Sequence, residues 1–294
     1  MNDVEAGAAY ERLIERFVAW AQRQDDIRAA VILGSRARTD APADEWSDLD
    51  LLFLTTDPQR YVSNTDWLAD IGPYWLSFIE PDDDNTEFSV LFEGALDVDF
   101  VPIHVEGLRG FATTDLTPDV IAAIRRGFQF IVDKEGFADA FKSLPVPPTE
   151  RDPPSERRFL NVVNEFWYHC VWTAKKLKRG EVWAARCGLD GAMRWHCLLP
   201  MIEWHAKCVH GWEYDTWHRG RFIEKWTEPR IIQGLREASS RYDPDDIRRA
   251  LFATMDLFRE IARDVAARLN YPYPTDADER VTEWVSDCLA GPAR

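Results

Sequence analysis

The sequence has no run of about 18 consecutive apolar residues, which is the length that a membrane-spanning helix requires, so we expect no such helix. The acidic stretch Met1-Asn2-Asp3-Val4-Glu5 lacks the basic and then apolar layout of a secretory signal. Cysteines are few: the five are odd in number and form no CxxC pair. We therefore expect reduced thiols in a cytoplasmic protein without a membrane partner.

Basic residues are scarce in the first half of the chain. Residues 1–150 contain 29 acidic and 12 basic residues, a net charge of −17, whereas residues 151–294 contain 22 and 23, a net charge of +1. Nucleic-acid binding needs basic patches that neutralise phosphates, so we expect no nucleic-acid partner. An acidic surface suits a cationic small molecule, although solubility alone would also explain the charge.

The order of the predicted elements indicates two domains. Apolar stretches at Ile27–Leu33, Leu49–Thr55 and 95–103 read as strands, and Thr117-Pro118 reads as a helix start. The stretch Ser143–Arg158 contains five prolines, which suit neither a helix nor a central strand. Long helical patterns follow it, one of them over residues 183–209. We predict an α/β (α+β) domain with a mixed sheet at residues 1–145 and an all-α domain at residues 146–294.

Chemistry-bearing residues follow the first two predicted strands. Gly34-Ser35 ends the first strand, where free backbone N–H groups can hold a phosphate and glycine permits close approach. Asp48 and Asp50 begin the second strand at i and i+2, so both side chains point to one face. Two like charges on a half-buried face repel each other, which predicts a neutralising cation.

A third carboxylate is offered by the stretch Leu96-Asp97-Val98-Asp99, whose alternation is that of a strand with both aspartates on one side. Carboxylate oxygens are the ligands that Mg²⁺ prefers, and Mg²⁺ often bridges to substrate phosphates. The sequence therefore predicts a magnesium site that holds a nucleotide. Spacing alone does not separate Asp97 from Asp99.

Five stretches of the chain resemble one enzyme family, and they occur in the family's order between residues 33 and 281. They read LGSRARTDAPADEWSDLDLLFLTTDP, LFEGALDVDFVPI, NEFWYHCVWTAKKLKRGE, WHAKCVHGWEYDTWHRGRFIEKW and ARLNYPYPTDADERV. The first resembles the nucleotidyltransferases of the polymerase-β-like superfamily. The whole set resembles the aminoglycoside 6-adenylyltransferases that modify streptomycin.

The resemblance implies transfer of AMP from ATP to a hydroxyl of streptomycin, with Mg²⁺ as cofactor and pyrophosphate as the leaving group. It implies that Asp48 and Asp50 bind the metal and that a third carboxylate contributes to the metal set and accepts the hydroxyl proton. Counting back from Val101-Pro102-Ile103, the family's strand aspartate falls on Asp97, so Asp97 is the first choice and Asp99 the second.

Further contacts are expected on both sides of this set. The residues that we expect at the nucleotide are Gly34, Ser35, Arg38 and Lys176. Those that we expect at the cationic substrate are Glu165, Trp172, Asp44 and Glu45, with Asp40 as a further candidate on the same loop. Two alternatives stay open: the same chemistry on another small molecule or a protein, or a nucleotide-binding protein without activity. A monomer is favoured.

Overall fold

The computed structural model describes residues 3–38, 43–81, 86–106, 127–142 and 152–291. Asp40, the helix expected at Thr117 and the first part of the proline-rich stretch lie outside these residues. The chain divides into two compact units, residues 1–147 and 148–294. Within the described ranges, no helix combines the length and the apolar character that crossing a membrane requires.

The first unit is built on a six-stranded sheet. Its strands are β1 (Ile27–Leu33), β2 (Leu49–Thr55), β3 (Tyr74–Pro81), β4 (Thr86–Phe92), β5 (Leu96–His104) and β6 (Gln129–Asp133), in the spatial order β3-β4-β5-β2-β1-β6. Strands β2 and β5 are parallel and the other neighbouring pairs are antiparallel. The mixed sheet predicted from the sequence is therefore confirmed.

Helices of the first unit cover the sheet and help to bury its centre. Among the described residues of this unit they are α1 (Asp3–Gln22), α2 (Pro58–Ser63), α3 (Trp67–Ile71) and α4 (Phe137–Lys142), and a 3₁₀ turn spans Gly34–Ala37. Phe17 and Trp20 of α1 pack with Phe53 of β2 and Phe100 of β5 in one core cluster. Burial of β1 and β2 along almost their whole length is typical of central strands, and it explains their continuous apolar sequences.

The second unit is helical, as predicted. Its helices are α5 (Glu156–Lys178), α6 (Val182–Cys187), a π-helix (Gly188–Leu198), α7 (Leu199–His210), α8 (Ile223–Trp226), α9 (Pro229–Ala238), α10 (Pro244–Leu269) and α11 (Thr275–Leu289), with a 3₁₀ turn at His218–Gly220. Phe166 of α5 stacks on Phe258 of α10 with ring centroids 3.7 Å apart. This contact lies within a large core cluster of the unit.

The helical stretch predicted over residues 183–209 is present, but its middle is π-helical rather than α-helical. The sequence pattern predicts a single helix over residues 183–209, but the structure has α6, a π-helix and α7 in this range. The π-helix begins at Gly188, where an added Cβ would lie 2.6 Å from the Trp172 ring. Glycine thus lets the widened turns pack closely on α5, a tertiary contact that helical periodicity does not reveal.

Candidate active site

Three aspartates converge where β2 begins. Asp48 immediately precedes β2, Asp50 is its second residue, and the parallel register places Asp50 opposite Asp99 of β5. One carboxylate oxygen from each of Asp48, Asp50 and Asp99 lies within 4.8 Å of the others, and all three side chains are half-buried. We call these three residues the carboxylate cluster. Its mutual repulsion makes it a natural site for a divalent cation with oxygen ligands.

The third member of the carboxylate cluster is Asp99, whereas the sequence interpretation preferred Asp97 in the metal set. The structure separates the two because Asp97 lies two residues before Asp99 on β5, one position outside the Leu49–Val98 pair that begins the β2–β5 pairing. Ser89 of β4 also fixes Asp99, since its Oγ donates a 2.7 Å hydrogen bond to Oδ1 of Asp99. The assignment of the metal set and the base to these two aspartates stays a prediction.

Asp97 lies in a different electrostatic setting from the cluster. Partial desolvation, followed by the negative charge of Asp48, raises the pKa of the Asp97 carboxyl. A carboxylate with a raised pKa is a better proton acceptor than an ordinary aspartate. The Asp97 side chain is exposed and lies near enough to Asp48 for the two charges to interact; its role as general base stays a prediction.

Gly34 borders the carboxylate cluster directly after β1, and Ser35 follows it in the 3₁₀ turn. Leu33 pairs with Asp50, and Gly34 follows with a φ of +66°, which favours glycine. A Cβ at Gly34 would overlap Oδ2 of Asp50. From the sequence, we expect Gly34 to allow a phosphate to approach closely. The structure shows a more direct reason for glycine at this position: the missing side chain makes room for the Asp50 carboxylate.

The hydroxyl of Ser35 indicates whether a phosphate group suits the residues of this turn. Its Oγ is buried and has no hydrogen-bond partner among the described residues. Buried polar atoms are almost always paired, so the unpaired hydroxyl of Ser35, the residue after Gly34, leaves a hydrogen-bond partner for a ligand to supply. A phosphate oxygen fits this position, because a hydroxyl can donate to it. Arg38, also expected at the nucleotide, lies half-buried directly after the 3₁₀ turn.

An arginine and a tyrosine that the sequence interpretation missed connect the strands of this site. Arg36 donates from Nε to the carbonyl of Asp48 at 3.0 Å and from a terminal nitrogen to the carbonyl of Ser47 at 2.7 Å. Its guanidinium lies 3.5 Å from the centre of the Tyr10 ring. Tyr10 Oη accepts from the backbone N–H of Asp97 at 3.0 Å and donates to its carbonyl at 3.4 Å.

This Arg36–Tyr10 bridge fixes the backbones of two aspartates from different elements. Burial raises the pKa of Tyr10, which keeps the phenol protonated and able to donate. Tyr10 and Asp97 are separated by 87 residues in sequence. The only sequence signal was Tyr10's place on the apolar face of α1, where an aromatic residue reads as core.

Polar side chains of the loop before β2 form hydrogen bonds within the loop itself. Asp44 Oδ1 accepts from the backbone N–H of Trp46 at 3.0 Å and from Ser47 Oγ at 2.8 Å. These hydrogen bonds form a turn that leads into Asp48, so Asp44 has a structural role in this loop. Glu45 is half-buried, and the Trp46 side chain is 85% exposed. A substrate role for Asp44 or Glu45 stays a prediction.

The predicted residues of the helical unit share one stripe of α5. Phe159, Val163, Phe166 and Cys170 lie on the buried side of this helix. Glu165 is exposed, whereas Trp172 and Lys176 are half-buried. The Lys176 ammonium lies 2.5 Å from Glu181 and 5.2 Å from the centre of the Trp172 ring. Lys176 is thus already paired within its own unit, and its role at a nucleotide stays a prediction.

Comparisons with known proteins match the chain over most of its length. The sequence profile of the family described as streptomycin adenylyltransferase matches residues 9–288. The chain is 26% identical over 288 residues to an aminoglycoside 6-adenylyltransferase of Bacillus subtilis (strain 168), covering 93% of this chain and 95% of that protein. It is 25% identical over 278 residues to the Campylobacter jejuni enzyme of the same name, covering 90% and 91%.

Among solved structures, the chain is similar to an aminoglycoside 6-adenyltransferase from Bacillus subtilis. The TM-score is 0.46 and the sequence identity is 20%, with 95% of this chain and 98% of that chain covered.

Proposed function

The chain belongs to the streptomycin adenylyltransferase family and is therefore a nucleotidyltransferase, and from this premise we propose that it transfers AMP from ATP to a hydroxyl of an aminoglycoside, streptomycin in particular. The observation that supports this proposal most is the carboxylate cluster of Asp48, Asp50 and Asp99, together with the unpaired hydroxyl of Ser35 in the turn that follows β1. It combines acceptors for a metal ion with a donor for a phosphate.

Magnesium fits this residue set by its ligand chemistry. Three half-buried carboxylates that face one another supply hard oxygen ligands, and their repulsion disappears when a cation neutralises them. Bound there, Mg²⁺ would polarise phosphate oxygens and neutralise charge that develops at the transferred phosphoryl group. Asp48, Asp50 and Asp99 would hold the ion, and the hydroxyl of Ser35 would donate to the polyphosphate.

The proton of the attacking hydroxyl needs an acceptor, and we assign this role to Asp97. Its raised pKa favours proton acceptance, and its place beside Asp48 keeps it near the metal ligands. The acceptor oxygen forms a bond to the α-phosphorus, the bond to pyrophosphate breaks, and the hydroxyl proton passes to the Asp97 carboxylate. Asp99 then acts as a metal ligand; the reverse assignment is the alternative.

A cationic acceptor agrees with the charge of the chain. Residues 1–150 carry a net charge of −17, which attracts cations over a distance of about 10 Å at ordinary salt. The guanidinium groups of streptomycin pair well with carboxylates, and Glu45 and Glu165 are candidates for this contact. The related enzymes from Bacillus subtilis and Campylobacter jejuni are named as aminoglycoside 6-adenylyltransferases.

Release of pyrophosphate tests the proposal. The purified chain is incubated with ATP, Mg²⁺ and each member of an aminoglycoside panel, with acceptor-free and EDTA-treated samples as controls. We expect release that depends on both Mg²⁺ and streptomycin. Pyrophosphate release with a different aminoglycoside, but not with streptomycin, would identify that aminoglycoside as the acceptor. No release with any aminoglycoside would contradict it and favour an unidentified acceptor.

A further inference from the structure

A cavity of about 450 Å³ lies within the helical unit. Its wall is formed by the π-helix, the start of α7, the segment around the 3₁₀ turn at His218–Gly220 and the end of α9. This volume is in the range of small-molecule sites, which is about 300–1,000 Å³. The residues that give the cavity its chemistry are Arg186, Arg194, Arg219, Trp195, Ile202 and Leu235.

The lining of the cavity carries excess positive charge. Arg186 and Arg194 share one carboxylate, that of Asp190, at 2.8 and 2.7 Å. Arg219 makes no ion pair within the part of the chain that the structure describes, and Asp190 is the only acidic residue among the described lining residues. Three guanidinium groups therefore face one carboxylate, an arrangement that favours an anion and disfavours a cationic aminoglycoside.

An unpaired hydroxyl also belongs to the lining. Ser240 Oγ is buried, and none of the described residues forms a hydrogen bond with it. A buried hydroxyl without a partner is rare in folded proteins, because its desolvation is costly. Ser240 thus adds polar character to the lining, whereas the arginine N–H groups are the donors that an anionic oxygen in the cavity would meet.

The backbone around the cavity is irregular on two sides. Trp217, Arg219 and Phe222 all have positive φ, between 54° and 56°, although none is glycine. Such conformations cost free energy and cluster at ligand-binding sites. The opposite wall is the π-helix Gly188–Leu198, and π-helical turns are also frequent at functional sites. The strained segment holds Arg219 at the wall.

The remaining wall is apolar and includes an aromatic ring. Leu198, Ile202 and Leu235 line the cavity, and the Trp195 side chain is 47% exposed beside them. We propose that the cavity binds a small molecule that carries phosphate on a ring-containing body, such as a nucleoside diphosphate. The guanidinium groups hold the phosphates, and the apolar wall holds the ring. This site goes beyond the proposed transfer reaction, whose assigned residues contribute nothing to its lining.

Calorimetric titration of ADP and of inorganic pyrophosphate into the full chain, in EDTA, tests this proposal. Without a divalent cation, the carboxylate cluster repels polyphosphates and disfavours binding at the transfer site, and the variants below assign the remaining binding to the cavity. The main variant is Arg219→Asn, because asparagine tolerates the left-handed backbone of this position. Arg236→Gln is the matched control: it removes one positive charge from an exposed site on α9 outside the lining. Circular dichroism and thermal melting confirm that each variant is folded.

We expect ADP to bind the native chain at least about tenfold more tightly than pyrophosphate, because only ADP uses the apolar wall. Arg219→Asn weakens ADP binding about tenfold or more, as expected for a lost charge-assisted hydrogen bond, and Arg236→Gln leaves it unchanged. Ser239→Trp, at the exposed lip, is a second variant that blocks the cavity and keeps all three arginines.

Three results would overturn the proposal: no ADP binding to the native chain, equal affinity for ADP and pyrophosphate, or ADP affinity that Arg219→Asn and Ser239→Trp leave unchanged. Turnover is not measured, so failure here and failure of the proposed transfer reaction are distinguishable.

Discussion

Replacing Asp50 with asparagine should stabilise the metal-free protein and abolish its catalysis. Asparagine has the shape of aspartate, so it fits the space beside Gly34 that the carboxylate now occupies. It removes one of three like charges whose nearest oxygens lie within 4.8 Å of one another. The same change removes a proposed metal ligand. The stability of the metal-free protein should therefore rise while its catalytic activity is lost.

The size of the effect follows from this distance. Two unit charges 4.8 Å apart repel by about 3.5 kcal/mol at an effective dielectric constant of about 20. The carboxylates are only half-buried, and solvent and salt reduce this value to about 1 kcal/mol for the site. In a unit of 147 residues, about 1 kcal/mol raises the melting temperature by roughly 2–4 °C.

Thermal melting in EDTA and in Mg²⁺ measures both sides of this prediction. We expect Asp50→Asn to melt higher than the native chain in EDTA, to gain no stability from Mg²⁺ and to release no pyrophosphate. Asp70→Asn is the matched control, since it removes one exposed negative charge from the same unit away from the cluster. A lower melting temperature than this control in EDTA, or an undiminished gain from Mg²⁺, would refute the reasoning.

The remaining predictions concern the neighbours of the cluster. Tyr10→Phe keeps the ring under Arg36 but loses two hydrogen bonds to the Asp97 backbone. We expect turnover to fall about tenfold while Mg²⁺ binding is retained. Unchanged turnover would show that the Arg36–Tyr10 bridge does not contribute to catalysis. Gly34→Ala introduces a Cβ that overlaps the Asp50 carboxylate at a positive φ, so we expect at least about hundredfold lower turnover and about 1–2 kcal/mol lower stability by urea unfolding, and near-native values would show that the site adapts. Asp97→Asn should lose turnover and keep the Mg²⁺-induced rise in melting temperature, whereas Asp99→Asn should lose that rise; the opposite pattern would exchange their roles.

The strands at the centre of the first unit could be predicted from the sequence because their apolar pattern and their burial in the structure agree. The predicted strands Ile27–Leu33 and Leu49–Thr55 match β1 and β2, whose apolar residues are buried on both faces. The turn at Gly34 and the aspartates at the start of β2 follow directly from these strands. Local pattern therefore predicted that Asp48 and Asp50 share a face.

Other features depend on contacts between distant parts of the chain. Asp97 and Asp99 share a face of β5, and only the register that places Asp99 opposite Asp50 distinguishes them. Tyr10 contacts the backbone of Asp97 across 87 residues, which no local pattern encodes. The π-helix escaped prediction for the same reason, since its tight packing at Gly188 involves α5.

Mass spectrometry of streptomycin incubated with the purified chain, ATP and Mg²⁺ tests the central claim most directly. We predict a product whose mass exceeds that of streptomycin by one adenylyl group, which is AMP less one water, formed in proportion to the pyrophosphate released. EDTA, or Asp50→Asn in place of the native chain, should leave streptomycin unmodified. Streptomycin that stays unmodified with the native chain and Mg²⁺, while ATP is still converted to pyrophosphate, would contradict the assigned acceptor.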